Sequence, residues 1–281
     1  MTSTVEPLGP RDLTALRALL TRDTPHNLYL LGVLEEFGVV PRSTRAPFTF
    51  YGRFSAKRDL TAAVFVGGQG GLVVPSSSDS ELIAPIAEHL SGQVRLRAAM
   101  GDKGGVDALV RLLCPDRPKY SHGERLFSVS ADDLGPFTNP TLRLASEAEL
   151  PELVPLAAAF VRETRERDPL KEDPEGFQAR VHQRVRLKRT YVLEVGGRLV
   201  FKLDVGCRSQ YGAELEGLYT VPDERGKGHA ILSLGQISRH LLSSLPRLAL
   251  RVDDRMTKLA GMARKVGYVP GKAQRRVVAE P

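Results

Sequence analysis

Cysteine is nearly absent: two occur in 281 residues, Cys114 and Cys207, one in each half. That excludes a disulfide framework and a thiolate metal cluster, and both side chains read as reduced thiols. Long apolar runs are also missing, so no stretch approaches the length needed to span a bilayer. The first residues lack the basic and apolar segments of a signal peptide, which makes the cytoplasm the expected location and a membrane partner unexpected. Six scattered histidines show no H-E-x-x-H or paired metal spacing, and no G-x-S-x-G elbow occurs. Metallohydrolase and serine hydrolase chemistry are therefore set aside, and no metal is expected. Zinc-finger spacing, an aromatic RNA-binding run and a basic low-complexity tail are lacking too, so nucleic acid is not an expected partner.

What is present is an ordinary globular composition, 42% hydrophobic and 26% charged, long enough for two domains of about 140 residues, each with its own core. The net charge of +7 is uneven. Residues 1–140 carry 15 basic and 15 acidic side chains, whereas residues 141–281 carry 25 basic against 18 acidic. The whole excess lies in the second half, where it suits a polyanionic ligand or an acidic partner surface.

Periodicity and turn residues predict the same element order twice: strand, two helices, a meander of strands, helix, strand, helix, strand. In the first half the helices fall near residues 10–20, 26–37, 80–90 and 105–113, with strands at 48–54, 61–67, 71–74, 93–100 and 124–129. A glycine-rich turn spans residues 67–71. In the second half the helices fall at 147–165, 173–188, 229–242 and 256–266. The strands there fall at 141–144, 190–195, 199–205, 213–221, 247–252 and 268–278. Residues 133–140, rich in residues that break both periodicities, mark the expected boundary between units 1–138 and 139–281.

One stretch organises the second half: Leu218-Tyr219-Thr220-Val221-Pro222-Asp223-Glu224-Arg225-Gly226-Lys227-Gly228-His229-Ala230. It reads as a strand, a polar turn and a glycine-opened helix. The first amides of such a helix lack intrahelical partners and sit at its positive pole, so the turn is an anion site. A Walker loop is excluded, because Lys227 is followed by Gly228 rather than Ser or Thr and Val221 stands where the first glycine belongs. A dinucleotide loop is excluded by Ile231, which stands in place of the third small residue. In the first half the equivalent strand ends Val73-Val74-Pro75 and continues Ser76-Ser77-Ser78-Asp79-Ser80. There the arginine and both glycines are gone, and Asp79 would repel phosphate.

What remains, Arg225-x-x-Gly228-x-Ala230 after a Val-Pro strand end, resembles the acetyl-CoA pyrophosphate motif of the GNAT N-acetyltransferase superfamily. The Lys265-Val266-Gly267-Tyr268 run downstream adds to the likeness. The doubled element order resembles tandem-GNAT proteins, with a degenerate N-terminal domain that has lost the cofactor loop. The resemblance implies an α+β fold of two GNAT-like domains, each a mostly antiparallel twisted sheet flanked by helices. It implies direct acetyl transfer from acetyl-CoA to an amine of a protein or small molecule. The cofactor residues it implies are Tyr219, Thr220, Val221, Arg225, Gly226, Lys227, Gly228, His229 and Ala230.

Transfer needs a neutral amine, and deprotonating a lysine-like amine at pH 7 costs about 4.6 kcal/mol. Members of the superfamily often supply a carboxylate from the strand before the loop. Glu214 and Glu216 lie there on one strand face. Glu216 holds the expected base position, and Glu214 is expected on a solvated face. The positions where many members carry a tyrosine acid and an asparagine are Ala263 and Met256, so Tyr219, and after it Tyr211, are the substitutes at hand. The thiol leaving group, near 8.5 in cysteine, departs with little help. The departures at Ala263 and Met256 motivate a second reading, an acyl-CoA-binding regulatory or scaffolding protein with little turnover. The basic run Arg180, Arg184, Arg186, Lys188, Arg189 is either a solvated helix face or a clamp on an acidic substrate or the CoA ribose phosphate.

Overall fold

The computed structural model describes residues 3–41, 47–68, 71–114, 116 and 118–279. The first half runs β1 (Thr4–Pro7), α1 (Leu13–Thr21), α2 (Thr24–Phe37), β2 (Phe48–Phe54), β3 (Leu60–Gly67) and β4 (Leu72–Pro75). It continues α3 (Ser80–Leu90), β5 (Ala98–Asp102), α4 (Lys103–Leu113) and β6 (Tyr120–Val129). The second half runs β7 (Arg143–Leu144), α5 (Leu150–Arg165), α6 (Pro169–Glu172), α7 (Pro174–Arg186), β8 (Thr190–Val195), β9 (Arg198–Ser209) and β10 (Gly212–Thr220). It ends with α8 (His229–Leu242), β11 (Leu248–Asp253), α9 (Thr257–Val266) and β12 (Val269–Val278).

The doubled order anticipated from the sequence is present, with local differences. β5 begins at Ala98 rather than near residue 93, because the Gln93 and Val94 amides both donate to Leu90 O and prolong the end of α3. The short α6 escapes an amphipathic pattern, being set by Asp168 capping the Leu170 amide and by Pro169 at its first position. Gln69 and Gly70 of the expected glycine turn lie outside the described residues.

The two expected sheets are halves of one. Twelve strands run in the order β1-β2-β3-β4-β5-β12-β6-β11-β10-β9-β8-β7. The pairings are antiparallel except for β4 with β5 and β10 with β11. The last strand of each half is exchanged: β12 lies between β5 and β6, and β6 lies between β12 and β11. Each half therefore completes the other's sheet through main-chain hydrogen bonds.

Helices cover both faces. On one, α8 and α9 place Leu234, Ile237, Leu241, Ala263 and Val266 against Leu215, Leu250 and Phe127. On the other, α5 and α7 place Leu153, Ala157, Phe177 and Val181 against Val192, Leu199 and Tyr219. On that second face α2 leaves its own half and crosses onto the other. Leu28 packs with Leu126 of β6 and Ala249 of β11. Gly32 lies so close to Cys207 of β9 that a Cβ there would sit 2.6 Å from the cysteine Cβ. Leu28, Leu30 and Leu31 are buried, each worth ~1.5–3 kcal/mol of transfer free energy. The face between α2 and the end of α5 is the floor on which the candidate site is built.

Candidate active site

β10 and β11 pair in parallel only from Ala213↔Leu248 to Leu215↔Leu250 and then separate. The cause lies on the other edge of β10. Between Glu216↔Asp204 and Tyr219↔Lys202, β10 advances three residues against two on β9, a bulge centred on Gly217 at φ +63°. Only glycine fits, since a Cβ would fall 2.6 Å from Asp204 Oδ2 and 2.7 Å from Lys202 Nζ. Such bulges bend the bulged strand and re-aim its side chains. β10 consequently turns away from β11, and the main-chain edge beyond Leu215 is left without a strand partner on that side.

At the far end Val221 N still donates to Val200 O at 3.0 Å, before the chain turns through Pro222–Glu224 into α8. Gly228 is the N-cap residue, at φ +88°, and supplies no side-chain cap. The first intrahelical bond is Leu232 N to Gly228 O, so the amides of His229, Ala230 and Ile231 have no intrahelical acceptor. Gly226 and Gly228 both take positive φ, and no atom lies within 4 Å of where a Cβ on either would stand, so the turn is open on that side. These features fit a phosphate group at the helix pole.

The equivalent place in the first half is closed. Asp79 caps α3 by accepting from Glu81 N at 2.9 Å. The first turn of α4 fills the space beside β4: a Cβ on Gly104 would lie 2.1 Å from Ser78 O, and one on Gly105 2.2 Å from Ser77 O. The carboxylate at one helix start and the close backbone packing at the next leave no counterpart of the open turn after β10.

The charged residues of the turn are paired, with one another or with residues of α5 and β9 beside it. Arg225 folds back over the Tyr219 ring, 5.3 Å from its centroid, and donates to Thr220 O at 2.9 Å and to Glu163 Oε2 of α5 at 2.7 Å. Lys227 and His229 both reach Glu224, at 2.8 and 3.0 Å, and hold its carboxyl below the ordinary value, Lys227 foremost. The backbone of the motif thus faces outward while its cations are internally neutralised.

Glu214 and Glu216 share one face of β10, as the alternation predicts, but their surroundings differ. Glu216 is half-exposed, and its Oε1 accepts from Arg184 Nη2 at 2.6 Å. Glu214 is a correction: rather than lying on a solvated face it is buried against Arg251, which donates to it at 2.8 Å. Tyr219 is buried and donates its hydroxyl to Glu163 Oε1 at 2.9 Å. Burial foremost, then Glu163, pushes its pKa above the ordinary tyrosine value. Tyr211 lies before β10 begins and packs with Leu28, Leu126 and Ala249, at the opposite end of the strand from the splay. Ala263 is in the core under α8, and Met256 packs at its margin. Tyr268 is locked in the same core, its hydroxyl 2.8 Å from Ser238 Oγ.

The basic run of α7 divides by direction. Arg180 pairs with Asp173 at 3.0 Å, Arg184 turns inward to Glu216 and Asp204, and Arg189 reaches across to Glu36 of α2 at 2.8 Å. Several site residues were not singled out in the sequence. Lys202 and Asp204 form a buried pair at 2.5 Å, with Thr190 Oγ1 donating to Asp204 at 2.8 Å. A charged alternation, Lys202-x-Asp204 inside an otherwise apolar strand, is the signal that marks them. Glu163 and Arg165 on α5, Glu124 on β6 and Arg276 on β12 carry no such signal. The last two reach this face only through the strand exchange.

Two surface clefts lie away from the splay. One, of about 390 Å³, is lined by Glu35, Arg189, Gln210 and Leu245 among others. The other, of about 200 Å³, lies between β6, β11 and α9. Among the described residues no helix is long and apolar enough to cross a membrane.

No protein-family model and no curated protein matches the chain. Solved structures do. An acetyltransferase from the GNAT family from Colwellia psychrerythraea aligns over 99% of this chain and 100% of its own, at 14% identity and a TM-score of 0.60. A Drosophila protein aligns over 99% of both chains at 15% identity and a TM-score of 0.68. A tandem GNAT protein from the clavulanic acid biosynthesis pathway aligns over 100% of this chain and 99% of its own, at 13% identity and a TM-score of 0.57. With the doubled element order, the single mostly antiparallel sheet and the splay beside a glycine-opened helix, these likenesses give the chain the fold of the GNAT acetyltransferases in its tandem form.

Proposed function

We propose that the second half binds acetyl-CoA and transfers its acetyl group to an amine, and that the first half is a degenerate repeat without a cofactor loop. The observation that carries this reading is the combination of the β10–β11 splay with the uncapped start of α8. The amides of residues 226–231 would hold the pyrophosphate. The main-chain edge of Tyr219, Thr220 and Val221 on the side turned from β9, where Arg225 Nε occupies Thr220 O, would pair with the pantetheine arm. Arg225 shapes the turn from behind rather than reaching into it.

Glu216 would take the amine's proton. Arg184 occupies one carboxylate oxygen and fixes the side chain, and Glu216 makes no other hydrogen bond among the described residues. The amine lone pair attacks the thioester carbonyl carbon, a C–N bond forms, the C–S bond breaks, and the ammonium proton passes to Glu216. The thiolate leaves without an acid of its own, since the Tyr219 proton is engaged by Glu163.

That last contact favours the second reading, an acyl-CoA-binding regulatory or scaffolding protein, because the Tyr219 hydroxyl is engaged and does not stand in for the tyrosine absent at Ala263. An assay of thiol release from acetyl-CoA over a panel of amines, run beside calorimetric acetyl-CoA binding, separates the two. Transfer requires turnover that Glu216→Gln lowers by about 10²–10⁴-fold with acetyl-CoA affinity kept. Binding without turnover on any amine overturns it in favour of the regulatory reading.

A further inference from the structure

The floor beside Glu216 is unusually rich in charge, and nearly all of it is matched. Arg276 of β12 donates to Glu124 of β6 at 2.8 Å. Arg251 of β11 bridges Glu214 and Gln274, each at 2.8 Å. Lys202 pairs with Asp204. Arg184 serves Glu216 and Asp204. The exception is Arg165, the last residue of α5. It is half-buried and, among the described residues, makes neither an ion pair nor a hydrogen bond. Its guanidinium carbon lies 5.8 Å from the Phe160 ring centroid, and Lys202 Nζ lies 5.7 Å from the same ring.

Arg165 is held there by its neighbours. Tyr120 of β6 donates to Thr164 O at 3.1 Å, and Arg255 pairs with Glu166 at 2.8 Å. The end of α5 is thus fixed to the floor on both sides of Arg165. Burial and the nearby Arg276 and Arg184 disfavour its charge and push its pKa down to about 10, against the opposing pull of Glu216 and Glu124. At this spot Arg165, Arg184, Arg276 and Lys202 face Glu216, Glu124 and Asp204, and of these cations Arg165 is the one without a partner among the described residues. Two buried polar atoms of the floor are also unpartnered, Glu124 Oε2 and Arg251 Nε. Glu124 is 7% exposed, and the arginine side chain 6%. Arg165 itself is partly exposed, so its unmatched guanidinium is open to an anionic ligand.

We propose that the acceptor is a small amine that also bears a carboxylate, with the carboxylate held by Arg165 and the amine directed to Glu216. This rests on the transfer reading above for the identity of the site. The planar guanidinium fork matches a carboxylate in two-point contact, which a point-charge lysine does not. Glu124 lies in the same floor, and its charge opposes that of Arg165 there. The N-terminal half thereby contributes to the floor under Arg165, since Glu124 belongs to its exchanged strand.

The test compares equilibrium binding of N-acetylglycine, N-acetylalanine and N-acetylglutamate with binding of their carboxamides, by calorimetry in the presence of coenzyme A. Tighter binding of the acids than of the amides by about ten- to hundredfold is expected for at least one pair. Arg165→Met is expected to bring that ratio to near one with coenzyme A affinity unchanged, while Arg165→Lys keeps part of it. Equal affinity of acid and amide in the native protein, including no binding of either, overturns the proposal, as does a preference that survives Arg165→Met. Thiol release measured in parallel reports on transfer separately. A carboxylate preference without release leaves the anion site standing and overturns transfer. Release with no preference does the reverse.

Discussion

Gly217, in the bulge next to the Glu216↔Asp204 pair, lies so close to Asp204 that a Cβ on it would stand 2.6 Å from Asp204 Oδ2. That contact couples the bulge to the buried Lys202–Asp204 pair, and the bulge is what parts β10 from β11. One residue without a side chain therefore adjoins both the floor's charged pair and the opening between β10 and β11.

Gly217→Ala is expected to destabilise the protein by roughly 2–4 kcal/mol, from the positive φ together with overpacking against a buried ion pair. Chemical denaturation measures it. A change under about 0.5 kcal/mol, the range of ordinary surface substitutions, would show that the bulge tolerates a side chain and that the splay has another cause.

The two halves are expected not to fold apart. Residues 139–281 alone lack β6, the strand that joins β11 to β12, and residues 1–138 alone lack β12. Each fragment would expose long unpaired strand edges, which promote aggregation. Separate expression should give insoluble material, and co-expression a soluble complex that purifies as one species. Two independently folded fragments would contradict the exchanged topology.

Acid stability should carry the mark of Glu149. Arg143 foremost, then the capping contacts of Ser146, holds its carboxyl down at about 2, against an ordinary value of 4.5. Its folded-state value is depressed, so its stabilisation is fully present above about pH 4.5 and is lost as pH falls through about 2. Glu149→Gln should lower the unfolding midpoint at pH 6 and converge with the native protein near pH 2. A gap that stays constant across that window would assign the contact a role independent of charge.

Much of this was legible in the sequence because it is local. The periodicity of α8 and the positive-φ glycines at 226 and 228 need only near neighbours, as does the serine-rich turn that replaces them after Pro75. Glu216 followed from strand alternation in the same way. Glu214 did not, because its burial depends on Arg251 from a strand paired by long-range register. Glu124 and Arg276 were out of reach for a stronger reason. Nothing in β6 or β12 read alone says that each will insert beside the other half's strands, and only that insertion brings both to the floor under Arg165.

If the uncapped start of α8 is an acyl-CoA site and its counterpart at Asp79 is not, the difference lies in what occupies the helix pole. Calorimetric titration of acetyl-CoA into the native protein and into Gly228→Asp tests it most directly. The aspartate brings a carboxylate to the helix start, as Asp79 does in the first half, at a left-handed position that aspartate tolerates. Saturable binding of one acetyl-CoA per chain is expected, weakened by about a hundredfold or more in Gly228→Asp, since an anion then occupies the helix pole. Absence of binding to the native protein, or equal affinity in the two, would contradict it.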